Sequence, residues 1–497
     1  MSLLAGAGGV RAETLMDAID LAYRSNPTLQ QERATQRALD ETYVQALAML
    51  RPTLSVSGGD TVTRYSENNI TFQPGGFLIN GQNMTVNLTQ PIYTGGQGTE
   101  AIRAAERDVL QGREQLRATE IQIMGFVITY YMDVLRDTEA VRINKQHLLV
   151  QQRQLQETSA EFDVGEVTRT DLSQAEARLA AAQAALSASE GQLQISRANY
   201  AQYVGKAPDD LAPPPALPGV PTSFDAALDV AEKENPALRA SQYAEAAARS
   251  RVGQARAAFR PTLDLNASFQ WQRQPLGTQF ISSSEGVVPF TQNPTQRTVT
   301  AGLTVTVPLF AGGSRGSKVR QALQQDNEAI YGVEGERRVV LQAVSQDWAT
   351  VTSAHAETLA NEQQVKADAV AAEGQRQEAQ VGLRTTIDVL NAEQEYTTAQ
   401  LALITSRHDE YVASAQLLAA MGRLEIRYLN PALPAYDPRR NFDRVRHKGW
   451  LPVDPIVAAF DAAGAPREHN PYTPPTSAPV DDDLAARGVG APQPKEP

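Results

Sequence analysis

The stretch "FDVGEVTRTDLSQAEARL", residues 162–179, has the grammar of a turn between two helices, and 217 residues later the chain repeats it as "AQVGLRTTIDVLNAEQEY", residues 379–396. Six positions coincide: Val164/Val381, Gly165/Gly382, Thr168/Thr385, Asp171/Asp388, Ala175/Ala392 and Glu176/Glu393. In each copy a Val-Gly pair stops a helix, because glycine readily takes the left-handed conformation that a helix end uses. Thr then precedes Asp by three residues, the spacing of a capping box, so Thr168 with Asp171 and Thr385 with Asp388 are expected to start the return helices. The same hairpin is built twice.

The duplication extends outward from these turns. "NPTL" at Asn26 returns as "NPAL" at Asn235, and "RPTL" at Arg51 returns at Arg260, both 209 residues on. "QPIYTGG", ending at Gly96, returns as "VPLFAGG", ending at Gly313, with the offset now 217. The eight extra residues fall between Leu54/Leu263 and Pro91/Pro308, which marks a loop tolerant of insertion. The reading is a repeat over 13–212 with a β-hairpin at about 52–92, and a second over 213–423 with a β-hairpin at about 261–309. Residues 1–12 read as the remnant of an export signal without its basic n-region. The last 74 residues, 424–497, hold thirteen of the 29 prolines and are expected to be extended or disordered.

Within each repeat the period changes. Leu263, Leu265, Ala267, Phe269 and Trp271 alternate with polar residues, as do Val299, Ala301, Leu303, Val305 and Val307, the period-two signature of strands with one wet face. Pro91 and Pro308 are expected to end the second strand of each pair, each followed by an aromatic, Tyr93 or Phe310. Aromatics at strand ends suit a membrane interface or ordinary strand-end packing. From Gln97 to Glu161 the chain has no proline, and about 65 residues of helix would span roughly 98 Å. Leu172, Leu179, Leu186, Leu193 and Tyr200 recur at heptad spacing in the return helix, beside a seam of smaller residues that includes Ala175 and Ala182.

Composition narrows the function. A net charge of -12 removes nucleic acid as a partner. The absence of cysteine removes disulfides, thiolate metal sites, cysteine nucleophiles and a lipid on an N-terminal cysteine. No run reaches the roughly 18 apolar residues of a spanning helix; the nearest, beginning at Ile121, carries Gln122 and Asp133 and reads as a buried helix face. A membrane would have to be crossed by strands. Four strands cannot close a barrel, and open edges are not tolerated in lipid, so the chain must associate, with eight strands from two copies or twelve from three.

The combination of "NPxL", "RPTL", "P(I/L)(Y/F)xGG" and "VGxxTxxD", each present twice and in order over 13–423, resembles the TolC family of outer-membrane exit ducts of Gram-negative bacteria. That resemblance implies a homotrimer whose twelve-stranded transmembrane β-barrel continues as a long periplasmic α-helical barrel. It implies no cofactor, and as partners a periplasmic adaptor, an inner-membrane ABC transporter or proton-driven pump, and outer-membrane lipid. Aspartates at the positions of Asp171 and Asp388 would ring the narrow periplasmic end. Arg384 would match the family's gate arginine, pairing with a neighbouring hairpin, and Asn391 stands where a second acidic residue is common. Ala379 occupies the place of a gate tyrosine, so the closed state is expected to be loosely latched. Val164, Gly165, Thr168, Val381, Gly382 and Thr385 would belong to the adaptor-docking tips, and Tyr93 and Phe310 to the membrane-interface aromatics. Lack of an acyl anchor inclines the reading to the exit duct of type I protein secretion, with small-molecule efflux as the alternative and a periplasmic coiled-coil structural protein as the rival of another class.

One catalytic pattern occurs, "GGSRG" at 312–316, matching G-x-S-x-G. In the other copy Gln97 stands in place of Ser314 while both leading glycines persist, so the glycines are expected to serve the turn, without a nucleophile. The five histidines show no metal-ligand spacing.

Overall fold

The computed structural model describes residues 12–65, 77–273, 276–283, 286–292, 295–381 and 383–463. The first repeat runs α1 (Leu15–Ser25), α2 (Pro27–Leu47), β1 (Thr53–Tyr65), β2 (Phe77–Tyr93), α3 (Gln97–Asp163) and α4 (Arg169–Val204). The second runs α5 (Phe224–Glu234), α6 (Pro236–Ala257), β3 (Thr262–Arg273), β4 (Leu276–Ser283), β5 (Gly286–Gln292), β6 (Thr295–Thr306), α7 (Ser314–Gln380) and α8 (Thr386–Ala420). Residues 1–11 of the expected export signal lie outside the described residues.

The repeated "NPxL" has a structural use. Asn26 and Asn235 are N-caps whose Oδ1 accepts from the amides two and three residues on, and proline follows at N1, where no amide is needed. Each asparagine also donates Nδ2 across the repeat, Asn26 to Tyr203 O at 3.0 Å and Asn235 to Ala420 O at 2.8 Å. The start of α2 is thereby fastened to the end of α4, and the start of α6 to the end of α8.

β1, β2, β3 and β6 form one antiparallel sheet in that order. The register stacks Leu54 on Leu88, Val56 on Val86, Val86 on Phe269 and Phe269 on Val299, so apolar side chains line one face across all four strands. The opposite face is polar, with Thr89 donating to Asn266 at 3.2 Å and Asn266 donating to Thr304 at 3.2 Å. β1 and β6 are its edges. β2 passes through Pro91, with an irregular register there, and stops at Tyr93, whereas β6 stops at Thr306 ahead of Pro308. The first expectation for proline is corrected: Pro91 pairs with Asp264 and is tolerated at a local irregularity. The second repeat also carries a two-stranded ribbon, β4–β5.

The 67-residue helices α3 and α7 each span about 100 Å. The main core lies midway along α3, where Met124, Val127, Ile128 and Tyr131 are fully buried with Leu15 and Ile19 of α1, Tyr200 of α4, and Leu417 and Leu418 of α8. Each such aliphatic side chain contributes about 1.5–3 kcal/mol by leaving water. The stretch from Ile121 is therefore a buried helix face. Among the described residues no helix is long and apolar enough to cross a membrane.

The chain beyond Arg423 departs from expectation. Instead of an extended tail, residues 424–463 fold as α9 (Ile426–Leu429), α10 (Arg439–Val445) and α11 (Asp454–Ala463). Prolines stand at the helix starts, Pro438 as N-cap of α10 and Pro455 in the first turn of α11, where they interrupt nothing. Long-range polar contacts dock this strap: Asn441 to Asp40 at 2.7 Å, Arg51 to Asp454 at 3.0 Å, and a set of donors to Asp461. Residues 464–497 of the expected tail lie outside the described residues.

Candidate functional site

The two hairpin tips close in the same way. After α3, the amide of Gly165 donates to Phe162 O at 3.0 Å and that of Glu166 to Glu161 O at 2.9 Å, the paired bonds of a Schellman motif, with Gly165 at φ +80°. After α7, Leu383 N donates to Glu378 O at 2.9 Å, the corresponding long closure around Gly382, which itself lies outside the described residues. The return helices then begin with full capping boxes. Thr168 N donates to Asp171 Oδ2 at 2.9 Å and Asp171 N to Thr168 Oγ1 at 3.3 Å; the matching distances for Thr385 and Asp388 are 3.1 and 3.4 Å.

Both aspartates are at the surface. The threonine hydroxyl and amide that donate to each hold its carboxyl below the usual carboxylate range, so both are anions at neutral pH. Capping uses one carboxylate oxygen, and the charge still faces water. Arg384 pairs with Glu378 of its own hairpin at 2.9 Å, and that carboxylate, by accepting a hydrogen bond, raises the arginine's affinity for its proton. Within the protomer, then, the arginine latches the turn that follows α7. Near the tips one link between the hairpins is made by Asn391, whose Oδ1 accepts from Arg178 of α4 at 3.0 Å.

Around these charges the tips are apolar. Phe162, Val164, Val381, Leu383 and Ile387 are exposed, and apolar groups concentrated at a turn mark a contact surface. Sequence reasoning picked out Val164 and Val381 but not Leu383, Ile387, Glu378 or Arg178. Leu383 was findable as the residue directly after Val-Gly. The Glu378–Arg384 and Arg178–Asn391 pairs cross a helix end or join two helices, and no periodicity joins such positions.

At the other end, Tyr93 is the half-buried last residue of β2, whereas Phe310 stands beyond β6, fully exposed beside Leu309. The G-x-S-x-G segment forms the start of α7, with Gly312 and Gly313 at φ +56° and +80°, as Gly95 and Gly96 do ahead of α3. Among the described residues no group of three or more His, Asp or Glu could hold a metal.

Comparison with known proteins agrees with this architecture. A family model described as "Outer membrane efflux protein" matches residues 18–206 and 227–423. Outer membrane efflux protein BepC of Brucella suis is 31% identical over 440 residues, covering 88% of this chain and 92% of that protein. Alkaline protease secretion protein AprF of Pseudomonas aeruginosa is 27% identical, with 69% of each chain covered. The crystal structure of the Campylobacter jejuni CmeC outer membrane channel superposes with a TM-score of 0.72 at 15% identity, over 87% of this chain and 89% of that one, which is a likeness of fold.

Proposed function

The chain belongs to the outer membrane efflux protein family, whose members are channels of the Gram-negative outer membrane, and on that footing we propose that three copies form an exit duct. The observation that carries this reading is the sheet, with one continuous apolar face, one hydroxyl- and amide-lined face, and unpaired edges at β1 and β6. Lipid does not tolerate open edges, and three copies joined β1 to β6 make twelve strands, wide enough to leave a channel. The long helices then extend the channel into the periplasm and end in six hairpin tips.

The tips receive a periplasmic adaptor on Val164, Gly165, Thr168, Val381, Gly382 and Thr385, and the adaptor links them to an inner-membrane pump that supplies the energy. Asp171, Asp388, Arg384 and Asn391 form the gate at the narrow end. Partly exposed ion pairs are individually weak, so several of them hold a gate that docking can open. Tyr93 and Phe310 meet the membrane interface.

The cargo we assign is protein, exported by type I secretion beside an ABC transporter, in keeping with the likeness to the protease secretion protein. Small-molecule efflux beside a proton-driven pump is the second reading, and the likeness to the outer membrane efflux protein BepC favours it. Planar-bilayer recording tests the duct: purified oligomer gives discrete conductance steps, and their complete absence returns the protein to the structural coiled-coil class. Cross-linking at Val164 and Val381 in cells, followed by identification of the attached pump, decides the cargo; a proton-driven pump as the sole partner overturns the secretion assignment.

A further inference from the structure

Helix α11 exposes large apolar side chains while burying carboxylates, which is unusual for a helix in water. Its inward face carries the buried Val457 together with two carboxylates: Asp461 is fully buried, accepting from Thr94 N and Oγ1 at 2.7 Å and from Thr99 N at 3.0 Å, while Asp454 holds Arg51 at 3.0 Å. Its outward face carries Ile456 and Phe460, which are 59% and 61% exposed. Trp450, Leu451 and Val453, just ahead of the helix, are exposed as well. A surface helix normally turns its charges outward and its apolar stripe inward. Large apolar side chains left outward while two carboxylates are turned inward point to an apolar medium outside α11.

Three observations identify that medium. The first is position: α11 holds the residues where β2 ends and α3 begins, and Arg51, which it binds, lies two residues before β1, so the helix sits at the periplasmic rim of the sheet. The second is continuity with the apolar sheet face. Gln90 has the strand parity of Leu88 and Val86 and donates to Leu50 O at 2.9 Å, which places the turn at residues 48–50, against which α11 packs, on the apolar side. The third is charge. Residues 439–450, "RRNFDRVRHKGW", carry five arginine or lysine residues against a single aspartate in a chain that is acidic overall, and Arg439, Arg440, Arg444, Arg446 and Lys448 are exposed.

We propose that residues 439–463 form an interfacial lipid anchor, in which Trp450, Ile456 and Phe460 enter the inner leaflet of the outer membrane and the basic residues bind anionic phospholipid headgroups. Such a helix lies in the membrane plane with its apolar face about 5–10 Å below the headgroup boundary, and basic side chains add attraction to anionic lipid. Aromatic residues with a polar edge favour this depth. The anchor rests on the reading of the sheet as a barrel wall, and the experiment separates the two.

The chain has three tryptophans, Trp271, Trp348 and Trp450. Full-length protein carrying Trp271→Phe and Trp348→Phe, in nanodiscs of phosphatidylethanolamine and phosphatidylglycerol, reports on Trp450 alone. A companion carrying Trp348→Phe and Trp450→Phe reports on Trp271 in the sheet. The expected result is loss of Trp450 fluorescence with acyl-brominated lipid, stronger for bromines near the headgroup than for deep ones. That loss shrinks when Ile456 and Phe460 are changed to Ser, and when the anionic lipid is replaced by phosphatidylcholine. Quenching of Trp271 without quenching of Trp450 overturns the anchor and keeps the barrel. If Trp450 emission is instead blue-shifted and unquenched in detergent and lipid alike, a neighbouring copy covers the patch, and the anchor is likewise overturned. Quenching of neither tryptophan overturns the barrel reading with it.

Discussion

Helices α3 and α7 have the same length, the same place in their repeats and the same turn at their far ends, yet α3 buries 22 of its 67 residues and α7 only 6. The start of α3 shows the difference at atomic scale. A side chain added at Gly95 would meet Arg260 Cβ at 2.9 Å and Ala257 O at 3.0 Å, whereas one added at Gly312 or Gly313 would meet nothing within 4 Å. Asp461 fills the amides around Gly96, and among the described residues no carboxylate does the same at Gly313. Duplicated sequence has thus been put to two uses. The first copy is the protomer's interior, and the second is an edge, with Tyr331, Val339, Leu359 and Val370 of α7 left exposed.

The largest effect should come from charging that edge. Leu359→Asp with Val370→Asp is expected to convert the proposed trimer to protomers in light-scattering chromatography while leaving helix content unchanged. A variant that stays trimeric would show that α7's outer face is not the seam between copies.

Removing the carboxylate that distinguishes the two helix starts comes next. Asp461→Asn should cost about 0.5–2 kcal/mol, as losing a helix cap does, and so speed hydrogen exchange at Thr94, Gly96 and Thr99 by roughly 2- to 30-fold. Amides at the start of α7 should not respond. Burial alone would push this carboxyl up, but the Thr94 and Thr99 donors outweigh it and hold it below the usual carboxylate range. Its contribution is therefore complete above the unfolded carboxylate pKa and is lost only as pH falls through the lower folded value. The difference between wild type and variant should persist at neutral pH and disappear in strong acid.

A smaller contrast joins Glu120 of α3 to its counterpart Arg337 of α7. Arg337 is an exposed partner of Glu232 at 3.0 Å. Glu120 accepts from Ile426 N at 3.0 Å, with Glu425, Arg33, Arg427 and Tyr23 around it. Burial pushes its pKa up to about 7. A carboxyl raised in the folded state stabilises below its unfolded pKa and loses that contribution as pH rises through the folded one. Between pH 5 and pH 8, wild type should therefore lose more thermal stability than Glu120→Gln. Parallel curves would mean that the site does not titrate there.

The smallest effects are expected at the tips, where the two copies are most alike. Asp171→Asn with Asp388→Asn should abolish block of the pore by divalent cations with little change in thermal stability. On the proposed gate, Arg384→Ser should raise resting conductance modestly, since Ala379 stands where a gate tyrosine is expected. Unchanged cation block together with unchanged conductance would leave these residues with the capping role alone.

Most of this architecture could be read from sequence because it rests on local rules. Alternation at Leu263–Trp271 made a strand, Val-Gly followed by Thr-x-x-Asp made a helical hairpin, and duplication let each copy check the other. The strap after Arg423 obeys a different rule. Its helices are short, its prolines resemble those of a disordered segment, and its order comes from partners hundreds of residues away, Asp454 with Arg51 and Asp461 with Thr94. Arg117, which donates to Glu425 at 2.6 Å and also holds Glu114, was hidden for the same reason. At the tips the caps were legible and the partners of Arg384 and Asn391 were not, because those partners lie across a turn or on another helix.

The bond between Thr94 and Asp461 spans 367 residues, and that separation imposes an order of events on the nascent chain. The first strand pair and the first long helix can form early from local contacts, but the joint between them lacks its carboxylate until almost all of the described chain is present. Contacts this distant in sequence form slowly. A chain cut short before Asp461 therefore holds its first strand pair on an unfastened hinge, and the joint is secured only when the strap reaches it.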